Sequence, residues 1–305
     1  MAFYRLGLIG AQVDLSFSPA IHRAFFQSLG LEGSYELFNL SSENLAVGFE
    51  SLIAGGINGL NVTVPHKLAV VPFLQSLSGM AVVTGAVNTI VRPDAQGAEL
   101  VGYNTDVAGL TAGLRRTFPA LANRNREPVV IIGLGGAARA AVASVLELGF
   151  EQIVLLGRRC EAGAVFMTEM QENLARAGMH KGPWRLHFCL TGARQSWPQS
   201  ASLVINASTI GHKSVDAGSA NDAEKLWLVD LLQQCGDAVA MDLVYSPNRE
   251  PTLFCKYSQQ AGLASADGKA MLVEQARQAF ALWTGQMPAY ETGLSALERA
   301  LQARA

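Results

Sequence analysis

Four consecutive apolar residues, Val129-Val-Ile-Ile132, run directly into Gly133-Leu-Gly135-Gly136-Ala137-Ala138. The apolar run reads as a strand covered on both faces, and a helical pattern follows over 137–148. Few folds accept this order. Gly133 permits a tight turn, Gly135 lets a ligand approach the backbone, and Ala138 lets the helix pack closely on the sheet. The helix N-terminus meanwhile presents unpaired N–H groups to an anion. A turn that merely needs small residues is the plainer reading, but strand, helix and the next strand at 152–156 stand in the order of a dinucleotide-binding turn.

That next strand ends in Leu155-Leu156-Gly157-Arg158-Arg159. A site for NAD generally carries an acid near this point to hold the adenosine ribose. Two guanidiniums in its place suit a ribose 2′-phosphate, so NADP is the expected cofactor and NAD the alternative. The competing reading of Arg158 and Arg159 is a solvated loop, and Cys160 beside them reads as an ordinary thiol.

Before this unit the chain alternates. Strands are expected over 4–10, 34–39, 59–64, 86–91 and 99–103, with turn residues Pro93, Asp94 and Gly97, and helices over 19–30, 43–54 and 107–116. Beyond it, strands are expected over 203–206 and 238–243. Helices over 271–283 and 293–303 then follow Asp267-Gly268, the last packing back on the first domain. The class is α/β: an N-terminal α/β substrate domain with a mainly parallel sheet, plus a Rossmann-like dinucleotide-binding domain. The expected division is 1–106, completed by helices in 269–305, and 107–268 for the NADP-binding part.

Composition narrows the partners. With 305 residues the chain is long enough for two cores, and half of it is hydrophobic against 16% charged, which excludes a disordered chain. A formal net charge of -2 gives no field for nucleic acid. Residues 68–91 carry no charge, but Pro72, Gln75, Gly79, Gly85 and Asn88 break up any membrane span, so short buried elements are expected there. The first ten residues hold one basic side chain and no long apolar stretch, so no secretory leader is read and a cytoplasmic location is expected. Cys160, Cys189, Cys235 and Cys255 are widely spaced, which fits reduced thiols rather than a disulfide framework or a metal site. The expected state is a monomer or homodimer.

Three polar clusters in the first domain call for chemistry: Ser16-Phe-Ser18-Pro19, Asn61-Val-Thr63-Val-Pro65-His-Lys67 and Asn104-Thr-Asp106. A strand period of two puts Asn61 and Thr63 on one face and the valines on the other. Taken singly, Ser18 could cap a helix, Asn61 could sit in a turn and Lys67 could be a surface charge. Their joint occurrence favours a site. Interconverting an alcohol and a ketone by hydride transfer needs a proton at the oxygen, and Lys67 with Asp106 are the candidates. Burial favours the neutral amine and a neighbouring carboxylate the ammonium, so the sequence leaves the resting form open.

These motifs, with Gly85-Ala-Val-Asn88-Thr, the Gly133 turn, Asn206-Ala-Ser208-Thr, Asp242-Leu-Val-Tyr245 and Ala266-Asp-Gly268 followed by Met271-Leu-Val-Glu-Gln275, resemble the shikimate dehydrogenase family over almost the whole chain. The resemblance implies reversible reduction of 3-dehydroshikimate to shikimate with NADPH in the aromatic amino acid (chorismate) pathway. It implies Lys67 and Asp106 as the catalytic pair, and Ser16, Ser18, Thr63, Asn88, Tyr245 and Gln275 as substrate contacts, with Asn61, on the same strand, counted with the substrate-binding residues as a support of the site. On the cofactor side it implies Gly133, Gly135, Gly136, Ala137, Ala138, Arg158, Arg159, Ser208, Gly268 and Met271. Departures exist. NADP-specific members read Asn-Arg-Thr-x-x-Arg after the second strand, and of that pattern only Arg158 is kept. Asp14-Leu-Ser16 resembles quinate/shikimate paralogues, whereas Ser18 points back to shikimate. A quinate/shikimate dehydrogenase using NAD or NADP is thus the alternative, and a non-catalytic ligand-binding regulator a third reading. Lys213 reads as a surface lysine.

Overall fold

The computed structural model describes residues 3–92, 99–179, 182–210, 222–247 and 250–304. Pro93, Asp94, Gly97 and Lys213 lie outside the described residues. The chain forms two compact units, one of residues 1–109 with 272–305 and one of residues 110–271.

The first unit is built on a six-stranded sheet. Its strands are β1 (Phe3–Gly10), β2 (Glu32–Asn39), β3 (Gly59–Val62), β4 (Ser76–Leu77), β5 (Thr89–Val91) and β6 (Val101–Tyr103), in the order β2-β1-β3-β5-β6-β4. β1 runs parallel to β2 and β3, while β5 is antiparallel to both β3 and β6. Helices α1 (Ser18–Leu29) and α2 (Leu45–Ala54) supply the crossovers, as the 3.6-residue apolar spacing predicts. The uncharged stretch 68–91 folds into a 3-10 turn (Val71–Phe73), β4, the short helix α3 (Met80–Thr84) and the start of β5. Among the described residues no helix is long and apolar enough to cross a membrane.

One expectation about the sheet needs correction. The strand expected over 59–64 ends at Val62, although Thr63 N still donates to Ile9 O and Val64 O accepts from Ala11 N. Val62 is buried, but Val64 is 58% exposed, so the valine-inward alternation stops where Pro65 removes the next donor.

The two sheet faces carry different cores. Phe49 and Leu45 of α2 close over Ile9, Leu60, Val62 and Ile90. On the other face, α1 packs with helices α9 (Lys269–Thr284), through Phe25 and Phe26 against Phe280, and α10 (Tyr290–Gln302). Gly59 is what lets α9 approach: a Cβ there would sit 2.1 Å from the indole nitrogen of Trp283. That nitrogen donates to Ile90 O at 2.9 Å, which ties the helix to β5.

His22 lies at the centre of this second core. Its ring stacks on Tyr35 with centroids 4.2 Å apart and meets the edge of Phe25 at 5.8 Å, and Trp283 stands 5.5 Å away. Among the described residues neither ring nitrogen makes a hydrogen bond of good geometry, and Asn61 is the polar side chain that acts on the ring.

The second unit is an all-parallel sheet. β7 (Val129–Ile132), β8 (Gln152–Gly157), β9 (Arg185–Leu190), β10 (Leu203–Asn206), β11 (Val239–Asp242) and β12 (Ala264–Ala266) are ordered β12-β11-β10-β7-β8-β9. Strand order reverses between β7 and β10, the doubly wound arrangement in which ligands bind beyond the carboxyl ends of the central strands. The remaining helices are α4 (Thr105–Thr117), which begins in the first unit, α5 (Gly136–Glu147), α6 (Cys160–Arg176), α7 (Asp222–Gln234) and α8 (Leu253–Gln260). Every residue of β7 is buried, as its unbroken apolar run requires.

Burial lowers the His22 pKa from the usual 6.5 to about 3, with the Asn61 side chain opposing. The folded protein therefore holds a neutral imidazole where the unfolded chain, below about pH 6.5, takes up a proton. Stability is fully present above pH 6.5 and is lost as pH falls toward 3, by about 3 kcal/mol between pH 6.5 and 4. Urea midpoints measured from pH 7 to pH 4 should fall more steeply for the parent than for His22→Phe, which keeps an aromatic ring against Tyr35. Parallel curves would clear His22 of this role.

Candidate active site

The carboxyl end of β3 and the start of α4 bring Lys67 and Asp106 together, although 39 residues separate them. The ammonium of Lys67 donates to Asp106 Oδ2, and the two side chains are only 14% and 7% exposed. Backbone contacts fix both ends. Lys67 O accepts from Val87 N at 2.8 Å, and Asp106 N donates to Asn104 Oδ1 at 3.2 Å. Asn104 is held in turn through Ala86 O at 2.9 Å and Thr84 Oγ1 at 3.0 Å.

Asn88 connects this pair to the rest of the unit. It is 2% exposed, and its Nδ2 donates to Asp106 Oδ1 at 2.9 Å and to Thr105 Oγ1 at 3.0 Å. The Gln275 Oε1 atom lies 3.5 Å from the same nitrogen. Its Oδ1 accepts from Thr105 N at 2.7 Å, which anchors the first turn of α4. Gln275 can come this close because position 109 is glycine: a Cβ there would stand 2.7 Å from Gln275 Cβ.

Asn61 is placed differently from the other polar residues of its motif. It is 5% exposed, accepts from the Tyr35 hydroxyl at 2.7 Å, and donates to Asn88 O and Thr89 Oγ1, both at 3.1 Å. Its amide is engaged inside the unit, as a support for Asn88. Thr63 is only partly buried and sits beside Gly10, whose added Cβ would meet Thr63 Cγ2 at 2.5 Å. Ser16 and Ser18 join at 3.1 Å, and Ser18 N donates to Ser16 Oγ at 3.2 Å. Two hydroxyls sharing one hydrogen bond retain a proton for an outside acceptor such as a carboxylate.

In the second unit, Gly133 has φ +117°, and a Cβ there would stand 2.8 Å from Ala207 O, so the turn after β7 admits no side chain. A Cβ at Gly135 would meet nothing within 4 Å. No side chain caps the first turn of α5, where Gly136, Ala137 and the fully buried Ala138 lie. An open backbone cradle with free N–H groups is the shape a pyrophosphate needs. Arg158 and Arg159 follow β8 and are exposed, with no ion-pair partner among the described residues.

Ser208 donates to Asn206 Oδ1 at 2.6 Å just beyond β10. Asn206 Nδ2 reaches Asp242 Oδ1 at 2.9 Å, and the same oxygen accepts from Val244 N at 3.0 Å. Burial pushes the Asp242 carboxyl up to about 7, opposed by hydrogen bonds from Thr252, Val244 and Asn206 and reinforced by the Asp267 charge. Gly268 N donates to Val244 O at 3.1 Å, and a Cβ at Gly268 would stand 2.5 Å from Leu243 O. Tyr245 is partly buried in the loop that Asp242 holds, and Met271 is buried at the start of α9.

Residues 8–90 match the family model of the shikimate dehydrogenase substrate binding domain, and residues 270–298 that of the shikimate 5'-dehydrogenase C-terminal domain. The shikimate dehydrogenase (NADP(+)) of Synechocystis sp. is 35% identical over 281 residues, which are 92% of this chain and 90% of that protein. The chain belongs to the shikimate dehydrogenase family. The crystal structure of the Thermus thermophilus shikimate 5-dehydrogenase in complex with NADP(H) and shikimate is similar, with a TM-score of 0.75 and 29% identity over 98% of this chain and all (100%) of that one. Quinate dehydrogenase from Corynebacterium glutamicum in complex with NAD is also similar, with a TM-score of 0.77 and 26% identity over 98% of this chain and 100% of the other.

Within this shikimate dehydrogenase fold, Lys67, Asp106, Asn88 and Gln275 converge in one unit, with Asn61 beneath them. Three supports escaped the sequence reading. Thr105 fixes Asn88, Tyr35 fixes Asn61, and Asp242 fixes Asn206. Thr105 lies inside the Asn104-Thr-Asp106 cluster and Asp242 opens the motif ending at Tyr245, so both carried a signal. Tyr35 lies in no motif, and only its pairing across the sheet reveals it.

Proposed function

We propose that the protein catalyses NADP-dependent interconversion of 3-dehydroshikimate and shikimate, with Lys67 and Asp106 as the catalytic pair. The buried contact between that ammonium and that carboxylate, braced by Asn88, carries the reading. Bound NADPH would supply the hydride, held at Gly133, Gly135, Gly136, Ala137 and Ala138 with Arg158 and Arg159 toward the 2′-phosphate. Ser208, Gly268 and Met271 are assigned to the same cofactor.

Lys67 donates a proton to the ketone oxygen as it becomes a hydroxyl, and accepts one in the reverse direction. Asp106 accepts a hydrogen bond from Lys67 and holds the amine in place. Only one of the three Lys67 N–H donors is engaged among the described residues, which leaves donors for a substrate oxygen. Ser16 and Ser18 receive the substrate carboxylate, and Thr63, Asn88 and Gln275 its hydroxyls. Tyr245 is assigned to the substrate on the family resemblance. A site that pairs each ring hydroxyl penalises ligands lacking one, since a buried group would then go unpaired. A cytoplasmic setting fits four cysteines that are all free, and monomer or homodimer remains the assigned state.

The likeness to an NAD-bound quinate dehydrogenase supports one alternative, a quinate/shikimate dehydrogenase. Initial rates of shikimate and quinate against NADP and NAD separate the two: shikimate with NADP should be fastest, and quinate turnover equal to shikimate turnover would favour the alternative. No absorbance change with shikimate and either cofactor would refute the dehydrogenase reading itself.

Lys67→Ala should lower kcat by about 100-fold or more with a modest change in KM, since it removes a contribution made in the transition state. An unchanged kcat would eliminate the role. Arg158→Ala should raise KM for NADPH and leave that for NADH nearly alone; equal effects on both would defeat the 2′-phosphate assignment.

A further inference from the structure

The loop joining β1 to α1 carries Ser16 and the start of the Ser18 turn. On the incoming side, Ala11 N donates to Val64 O at 3.2 Å and Val13 N to Asn39 Oδ1 at 2.8 Å. Asn39 Nδ2 also donates to Asp14 Oδ1 at 2.7 Å, so one amide at the end of β2 grips the loop twice. Ser16 N donates to Val13 O at 2.9 Å. The outgoing side runs into α1, where Phe17 O accepts from Ala20 N at 3.1 Å and from Ile21 N at 3.2 Å. Leu15 is 72% exposed, so its side chain adds no packing at the point where the chain turns toward Ser16.

A residue from the far end of the chain occupies that place. Arg304, just beyond α10, donates through Nη1 to Leu15 O at 2.6 Å. Its guanidinium carbon lies 4.4 Å from the centre of the Phe17 ring, and Phe17 itself is 2% exposed. One planar cation thus touches the residue before Ser16 and the residue after it. α10 can deliver it there because it packs on α1, with Gly293 so close to Phe25 that an added Cβ would stand 2.9 Å from the ring. Contacts at Phe25 with 293 and at Phe17 with 304 mean that the two helices run in opposite directions.

We propose that Arg304 is a positioning residue for the Ser16–Ser18 loop, clamping Leu15 and Phe17 so that the paired hydroxyls are preset for a substrate carboxylate. This rests on the assignment of Ser16 and Ser18 to that carboxylate. The cation acts through the loop: its hydrogen bond fixes a carbonyl orientation, and its stacking on Phe17 fixes the entry into α1. Preordering a binding loop lowers the entropy lost when ligand binds, so the effect falls on affinity for the ligand that the loop receives.

The test compares the full chain with Arg304→Ala and Arg304→Lys. Arg304→Ala should raise KM for shikimate about tenfold, with kcat and KM for NADP within about twofold of the parent. Arg304→Lys, which can still donate to Leu15 O and sit over Phe17, should recover most of that loss. Amide hydrogen exchange over residues 15–18 should quicken by about fivefold or more in Arg304→Ala and return toward the parental rate in the lysine variant. An unchanged KM for shikimate in an active parent overturns the proposal, as does a loss spread evenly over kcat and both KM values with a lowered melting temperature. Exchange that does not respond overturns it whether or not the enzyme is active. A parent that turns over no shikimate while exchange responds as described sinks the dehydrogenase reading and leaves the clamp standing.

Discussion

The carboxamide of Asn88 is the point through which the first unit's polar core is assembled. It accepts from the backbone of Thr105, donates to Asp106, and lies beside Gln275, while the backbone carbonyl of Asn88 accepts from Val62 N at 2.8 Å. β3, the start of β5, the first turn of α4 and the middle of α9 therefore meet around one residue, through its side chain and its backbone carbonyl. A buried amide left short of a partner costs about 1–3 kcal/mol, so the elements around it are fixed jointly or not at all. The consequence is electrostatic. With Oδ1 of Asp106 held by Asn88, Oδ2 is left facing Lys67, and a buried carboxylate is tolerable because every contact on it is a donor.

The second unit differs, since its central strands are apolar and the turn after β7 presents backbone rather than side chains. Reversal of strand order between β7 and β10 separates the loops that follow them, and Gly133 lies close against Ala207 where the loops part. Asn206 and Asp242 then fasten the next two loops to each other from below. Burial raises the Asp242 pKa to about 7, so the carboxyl is far less ionised at neutral pH than an exposed aspartate. A carboxyl with its charge reduced in this way bonds to an amide at a lower desolvation cost than a full carboxylate.

What could be read from the sequence followed physical period. β7, α5 and β10 stood out because an unbroken apolar run, a glycine turn and a small-residue helix leave few alternatives. The edges were harder. β9 carries Arg185 and His187 on an exposed side, and α6 hides its buried stripe of Phe166, Met170 and Leu174 among acids and a glycine. Gly163 is there because Phe188 of β9 sits 2.5 Å from where its Cβ would be, a tertiary reason with no local signature. α7, α8 and β12 were likewise missed. Among the polar residues, Lys67, Asp106 and Asn88 were recognisable from their motifs, but the inward turn of Asn61 depends on Tyr35, which belongs to another strand.

The balance of spent and unspent hydrogen-bonding capacity sorts these polar residues more sharply than burial does. Asn61, Thr89, Asn104 and Thr105 each bond to other protein groups at distances of 2.7–3.2 Å, and each lies at 5% exposure or below. Replacing any of them would strand a buried partner, which makes their chemistry structural. Lys67, with two N–H donors in hand, the Ser16 and Ser18 pair with one hydroxyl proton to give, and Thr63, whose hydroxyl has no partner among the described residues, are the reverse case. Polar capacity that a folded chain leaves unspent at the carboxyl ends of its strands must be met by water or by ligand. A ligand with a carboxylate and several hydroxyls meets it more completely than water does, because it brings its acceptors and donors already joined.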